Sequence, residues 1–311
     1  MKMIKIATRG SKLALAQANL IKNRLGSVAP DTPVTIVEIS TKGDRDTSDF
    51  LYKSSSVGYF TSEVENALLS HEGDIAVHSL KDLPTTITRG LTVSAIPRRE
   101  SVCDVIVTTK KLSSIEDLPP KARIGTSSLR RITQLKRLRP DLDCQPLRGN
   151  VETRIQKIRD GQVDAIVIAQ AGLNRLGLSD RISLVLDPTE FIPAPGQGAL
   201  AVQTRRDDVE LCRLVEALDD PVTRLTVETE RRILAGLHGG CSIPLGVYCH
   251  VENETLHIHA ILSNLAATQH IQKTASCPIK CAMDTADEMT AHILNAGGKE
   301  ILDELRQEKK A

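Results

Sequence analysis

The chain has 311 residues, 41% hydrophobic and 25% charged, with a formal net charge of +1. That length exceeds one ordinary core and implies two or three domains, and near-neutrality argues against a global attraction to nucleic acid or membrane. Aromatics make up only 2% and Trp is absent, so unpaired bases would find no stacking platform, and no apolar run approaches the ~20 residues of a membrane span.

A strand is predicted at Met3 to Ala7, followed by Thr8-Arg9-Gly10-Ser11 and a helix through Leu25. Leu13, Ala16, Leu20 and Ile21 share one helical face, and Ser11 is placed to cap. A strand at Val34 to Ile39 leads into Thr41-Lys42-Gly43-Asp44, then an aperiodic Ser/Asp/Thr-rich loop runs to Gly58. A helix from about Thr61 to Ser70 precedes the strand Ile75 to Val77 and the loop His78 to Pro84.

The same order recurs about 115 residues on. The strand Arg123 to Gly125 precedes a helix opened by Thr126-Ser127-Ser128 and running to Leu138. Cys144 to Leu147 reads as a strand ending in Arg148-Gly149-Asn150, and the helix Val151 to Asp160 stops at Gly161. Asp164 to Ala169 echoes Asp74 to Val77. Three matches in one order imply two α/β domains of similar build.

Crossing points are expected at Ile96 to Glu100 and Phe191 to Gly198. Two crossings make the first domain discontinuous, completed by a strand at Ala199 to Gln203. The expected division is 1–98 with 198–219, then 99–197, then 220–311. The last part reads as a helix from Val222 to Leu234, strands at Val247 to Val251, Leu256 to Leu262 and His270 to Ala275, and a helix from Asp284 to Asn295: a small α+β domain.

Charge is uneven along the chain. Lys121 to Arg159 carries 11 Lys or Arg against 3 Asp or Glu, which suggests a confined anionic ligand. The N-terminus lacks the h-region of a secretory signal. Seven scattered Cys fit reduced thiols of the cytoplasm better than a disulfide framework.

Arg130 and Arg131 stand just inside the helix opened by Thr126, Ser127 and Ser128. A helix N-terminus attracts anions, and Arg grips carboxylates as a bidentate fork. Arg148 and Arg154 flank the next helix start, and Arg9 with Ser11 holds the equivalent place in the first domain. Lys136, Arg137 and Arg139, mid-helix or beyond, read as water-facing. No P-loop or Gly-x-Gly-x-x-Gly is present, which disfavours a nucleotide.

Asp82 follows a strand end, where catalytic groups collect in open α/β sheets. Ionised at neutral pH, it suits stabilising a developing cation or steering a proton to an amine leaving group; a turn or cap role is the plain alternative. His78 reads as a structural hydrogen-bonding residue. Cys241, in Gly239-Gly240-Cys241-Ser242-Ile243-Pro244, is a thiol presented on a tight turn, either a nucleophile or attachment point or simply inert. Cys277 and Cys281, with Cys241, Cys249 and several His, raise zinc, but the spacing fits none of the usual fingers and no metal is expected.

Together HSLKDLP (His78 to Pro84), GTSSLRR (Gly125 to Arg131), LRGNVETR (Leu147 to Arg154), DAIVIAQAGLNRLGL (Asp164 to Leu178), PAPGQGAL (Pro193 to Leu200) and GGCSIP (Gly239 to Pro244) resemble the porphobilinogen deaminase family, in order across nearly the whole chain. The resemblance implies two periplasmic-binding-protein-like α/β domains, the first discontinuous, plus a small α+β C-terminal domain, with the ligand in a cleft between the first two. It implies a transferase that condenses four porphobilinogen molecules into a linear tetrapyrrole, hydroxymethylbilane, with loss of ammonia. Cys241 then carries a dipyrromethane cofactor through a thioether, and Asp82 is the catalytic aspartate. Lys81, Thr126, Ser127, Ser128, Arg130, Arg131 and Arg154 would hold cofactor; Arg9, Ser11, Arg148, Arg154 and Arg175 would hold substrate carboxylates. A cytoplasmic monomer, with no nucleic acid or membrane partner, goes with this reading.

One stretch departs from the family. Members read Gly-Gly-Lys-Gly-Leu-Phe where this chain has Ser55-Ser56-Val57-Gly58-Tyr59-Phe60, so Val57 replaces the loop lysine and Ser62 a helix lysine. Lys53 or Lys42 could substitute, or the loop between Ser54 and Tyr59 could act sterically. A non-catalytic solute-binding protein for a polycarboxylate is the rival reading, though it leaves Asp82 and Cys241 without a role.

Overall fold

The computed structural model describes residues 3–41, 61–237 and 243–308. Cys241 and the variant loop around Val57, with Lys42 and Lys53, lie outside the described residues.

In the first sheet, β1 (Ile4–Arg9), α1 (Lys12–Val28), β2 (Val34–Ile39), α2 (Ser62–Leu69) and β3 (Ile75–Ser79) follow in order, and β1 pairs in parallel with β2 and β3. Period-two alternation sends Ile4, Ile6, Ile75 and Val77 to a face covered by α1 and by α6 (Val209–Glu216), and Ala7 and Ala76 to a face covered by α2. The sheet is closed by β4 (Leu91–Ala95) and β10 (Leu200–Arg205) in the order β2-β1-β3-β10-β4, with β10 antiparallel to both neighbours.

The buried face of α1 is Gln17, Ala18, Ile21 and Leu25; of the expected stripe only Ile21 is fully buried, and Leu13, Ala16 and Leu20 are half-buried. The face is rotated because Gln17, a polar residue, can be buried: its Nε2 donates to Ser79 Oγ at 2.9 Å.

The second sheet repeats the plan with β5 (Asp104–Thr108), β6 (Arg123–Gly125), α3 (Leu129–Leu138), β7 (Asp143–Gln145), α4 (Val151–Arg159), β8 (Ala165–Ala169), α5 (Gln170–Arg175) and β9 (Leu184–Val185). Its order is β7-β6-β8-β5-β9. In both sheets three parallel strands run 2-1-3 and an antiparallel fourth lies beside the third. The first sheet takes that fourth strand, β10, from chain that follows the second sheet. β7 stops before the predicted Leu147 because Pro146 has no N–H to give a ladder, and Leu147 N turns instead to Ser127 Oγ at 3.0 Å.

Among the described residues, one compact unit comprises residues up to Glu100 with Gly198–Arg224, and the other comprises Ser101–Gln197 with residues from Leu225 onward. The crossings fall at the ends of the two expected stretches. Residues 191–197 are anchored within the second unit: Ile192 O accepts from Arg130 Nη1 and Gln134 Nε2, and Gln197 Nε2 donates to Val102 O.

The second unit also contains α7 (Pro221–Gly236) from Leu225 onward, an antiparallel sheet of β11 (Leu245–Glu252), β12 (Thr255–Ser263) and β13 (His270–Pro278), then α8 (Ala282–Ile293) and α9 (Lys299–Glu308). Val247, Cys249, Leu256, Ile258, Ala260 and Leu262 bury one sheet face against the helices. The other face carries Tyr248, His250, His257 and His259, half-buried; burial first, and then neighbouring rings, hold His250 and His259 below the usual imidazole range. The wholly buried Glu230 ties the unit together, accepting from Gly196 N at 2.7 Å and Cys249 N at 2.9 Å.

Candidate functional site

Within the two units Arg9, Asp82, Ser128 and Arg148 lie at or just beyond the carboxyl ends of parallel strands, while Arg154 and Arg175 lie on helices. In the first, Arg9 ends β1, and Ser11 caps α1 by accepting from Ala14 N at 3.3 Å. After β3 the chain makes a one-turn 3₁₀ helix, Leu80–Asp82. Leu80 and Leu83 are buried on either side, and Leu80 N donates to Ala199 O at 3.0 Å. The two leucines pin the turn, leaving Asp82 exposed and Lys81 half-buried. His78 is buried beneath it, with Nε2 3.1 Å from Gln203 Oε1; burial pushes its pKa down to about 4, so it is neutral at physiological pH.

In the second unit the turn after β6 and the turn after β7 are laced together. Thr126 N donates to Gln145 O at 2.9 Å, and Ser127 Oγ donates to Leu147 O and accepts from Leu147 N, both at 3.0 Å. Thr126 is buried, with its Oγ1 accepting from Ser128 N at 3.3 Å. Thr126 and Ser127 therefore frame the turns. The Ser128 hydroxyl makes no capping bond at the start of α3.

Arg130 and Arg131 differ from the expectation of open carboxylate forks. Both are buried, 4% and 7% exposed, and both grip the fully buried Asp104 at the start of β5. Arg130 Nη1 meets Asp104 Oδ2 at 2.7 Å, and Arg131 meets Oδ1 through Nη2 at 2.7 Å and Nε at 3.0 Å. Gln197 Nε2 adds a third donor group at 3.1 Å. Among the described residues one carboxylate faces these two guanidinium groups, and Arg130 keeps a buried Nε with no hydrogen-bond partner there. Burial holds the Arg130 pKa below the usual guanidinium range, opposed by Asp104. Sequence reasoning missed Asp104; an acid opening an otherwise apolar strand, DVIVT, was the available signal.

Arg148, half-buried in the turn after β7, also has a buried Nε without a partner, and no other group of the described residues binds its guanidinium. Arg154 Nε donates to Gly149 O at 2.8 Å and so braces that turn. Arg175, at the end of α5, retains a buried, unsatisfied Nε. Arg137 and Arg139 are half-buried and bonded rather than merely water-facing: Arg137 Nη2 donates to Glu190 O and Arg139 pairs with Asp141. Acids outside the basic segment, Asp104 and Asp164, absorb part of its surplus.

Each of the two α/β sheets gathers arginine and hydroxyl groups at the carboxyl ends of its parallel strands, an arrangement suited to holding anionic groups. Residues 4–213 match the model of the porphobilinogen deaminase dipyromethane cofactor-binding domain, and residues 224–296 match that family's C-terminal domain. Porphobilinogen deaminase of Syntrophobacter fumaroxidans is 40% identical over 304 residues, covering 98% of both chains. The Thermus thermophilus enzyme is 42% identical, over 98% of this chain and all of that one. The chain belongs to the porphobilinogen deaminase family, transferases of porphyrin and heme biosynthesis. Among solved structures, a periplasmic VFT2 domain of Bordetella pertussis BvgS aligns over 69% of this chain and 85% of that one at 18% identity and a TM-score of 0.40, too loose to bear on activity. Among the described residues no helix is long and apolar enough to cross a membrane.

Proposed function

We propose that the chain condenses four porphobilinogen molecules head to tail, releasing ammonia and hydroxymethylbilane, and that Cys241 holds a dipyrromethane group through a thioether. When bound, that group supplies the primer to which pyrrole units are added. The working parts in this reading are 1–98 with 198–219, carrying Asp82; 99–197, carrying the arginines; and 220–311, carrying Cys241. It acts as a cytoplasmic monomer on a small molecule.

The donor set fits a group rich in carboxylates. Arg148 supports this best: a half-buried guanidinium at a strand's carboxyl end, with nothing in the described chain to neutralise it. The Ser128 hydroxyl and the first turn of α3 add donors after the neighbouring strand β6. Arg130 and Arg131 belong to cofactor binding in this reading, through the N–H groups that Asp104 leaves over, and Thr126 and Ser127 hold the turns on which the others sit. Arg9, Ser11, Lys81, Arg154 and Arg175 complete the carboxylate contacts.

Asp82 supplies the chemistry. As ammonia leaves the substrate, positive charge develops on the pyrrole and its methylene carbon. An exposed carboxylate on a pinned turn meets that charge without having to reorganise. The same carboxylate can accept a hydrogen bond from the pyrrole N–H, which fixes the ring for attack.

Intact-mass measurement of the purified protein tests the anchor. An adduct of two linked pyrrole units, lost in Cys241→Ser, is expected; an active protein without any adduct would refute it. Asp82→Ala should abolish turnover, and retained turnover would move the chemistry elsewhere.

A further inference from the structure

The hairpin of β11 and β12 closes through Asn253 and Glu254, both with positive φ (48° and 60°), a two-residue turn of the primed type. That turn fixes the register, so His250 stands directly opposite His257, with Glu252 two residues further along the same face. One ligating atom from each of His250, Glu252 and His257 lies within 4.8 Å of the other two. Rings of His250 and His257 stack at 4.8 Å and 13°, and Tyr248 and His259 stack against His250 at 5.2 and 5.8 Å.

Two contacts distinguish this group from an ordinary solvated sheet face. His257 Nδ1 lies 2.9 Å from Ser276 Oγ on β13, the kind of outer contact that fixes the ring of a ligating histidine and leaves Nε2 for the ion. His250 Nδ1 is shielded from solvent yet has no hydrogen-bond partner among the described residues, although a buried ring nitrogen normally has one. Neither feature serves the carboxylate-binding residues, and the mechanism uses none of the three side chains.

We propose that His250, His257 and Glu252 form a binding site for a divalent cation of the zinc type, with water in the fourth position. Two imidazoles and one carboxylate are a recurrent zinc donor set. Bonds of about 2.0–2.2 Å need donors roughly 3.3 Å apart in a tetrahedron. Reaching that spacing requires the exposed Glu252 to rotate and the two imidazoles to turn out of their stack so that their in-plane lone pairs converge. The cysteines that raised zinc in the sequence are not the donors: Cys249 and Cys277 point into the core on the opposite face.

The test uses untagged, full-length purified protein stripped with a chelator. Titration with Zn²⁺ against a chromogenic chelator should give one ion bound at the site. Co²⁺ in its place should give a visible d–d band without a thiolate charge-transfer band. Glu252→Gln should weaken Zn²⁺ binding about tenfold, and His250→Gln with His257→Gln should abolish it while circular dichroism and cooperative melting stay unchanged. Absence of a bound ion, a thiolate charge-transfer band, or unaltered affinity in Glu252→Gln would each overturn the proposal. Because Glu252 is exposed beside the turn, that variant remains decisive if the double variant fails to fold.

Discussion

At the scale of single residues, arginines that look alike in sequence divide by what they touch. Arg130 and Arg131 share the buried Asp104, so their charges are largely spoken for by the fold. Asp104→Ala leaves two buried cations uncompensated and should cost about 3–5 kcal/mol in urea unfolding. Arg148→Gln removes a guanidinium with no partner in the described chain; it should leave the melting temperature nearly unchanged and raise KM for porphobilinogen at least tenfold in steady-state kinetics. His78 sets a pH dependence of stability. Its folded pKa, about 4, lies below the ordinary 6.5, so between those values the unfolded chain binds the extra proton. Stability should fall by up to about 3 kcal/mol as pH drops from 6.5 towards 4, with no contribution from this group above that range. Urea midpoints across this range, compared with His78→Gln, check it: the variant should lose part of the slope.

At the scale of elements, caps and turns place the site. Asn150 opens α4 by accepting from Thr153 N at 2.8 Å, directly after Arg148 and Gly149. Asn150→Ala should cost about 1 kcal/mol and loosen the turn, seen as a lower urea midpoint together with a raised KM. The cap at Ser11 was legible because a small polar residue ahead of an apolar period has a local cause. Strands β4, β5 and β9 were not foreseen: short apolar runs carry no periodicity that separates a buried strand from a buried loop. The helix α9 was missed for a different reason. The chain breaks at Gly297, whose φ is +104°, and then resumes as a helix. A glycine marks such a break without saying whether a helix follows.

For the whole molecule, β10 is the element that makes the first domain discontinuous. It lies between β3 and β4, so residues 1–98 alone lack an interior strand. A fragment of residues 1–98 should fail to unfold cooperatively in urea. The same segment joined by a short linker to 198–219, which restores β10 and α6, should recover a cooperative transition and strand circular dichroism. Equal behaviour of the two fragments would mean that β4 can pair with β3 directly. The repeated build was readable because the order strand, helix, strand, helix, strand occurs twice.

The sequence by itself determined the α/β class, the repeated order of elements, the turns bearing Arg9, Asp82, Ser128 and Arg148, and membership of the family, because these depend on local periodicity, capping and contiguous motifs. Tertiary structure alone decided which polar groups are consumed inside the fold. Asp104 is separated by 26 and 27 residues from the arginines it binds, and Gln203 by 125 from His78. The cross-strand pairing of His250 with His257 likewise depends on a hairpin register that is invisible in a string of residues. Burial makes such partnerships obligatory, since an unpaired polar group in the interior is costly, but their identity follows only from which strands lie side by side.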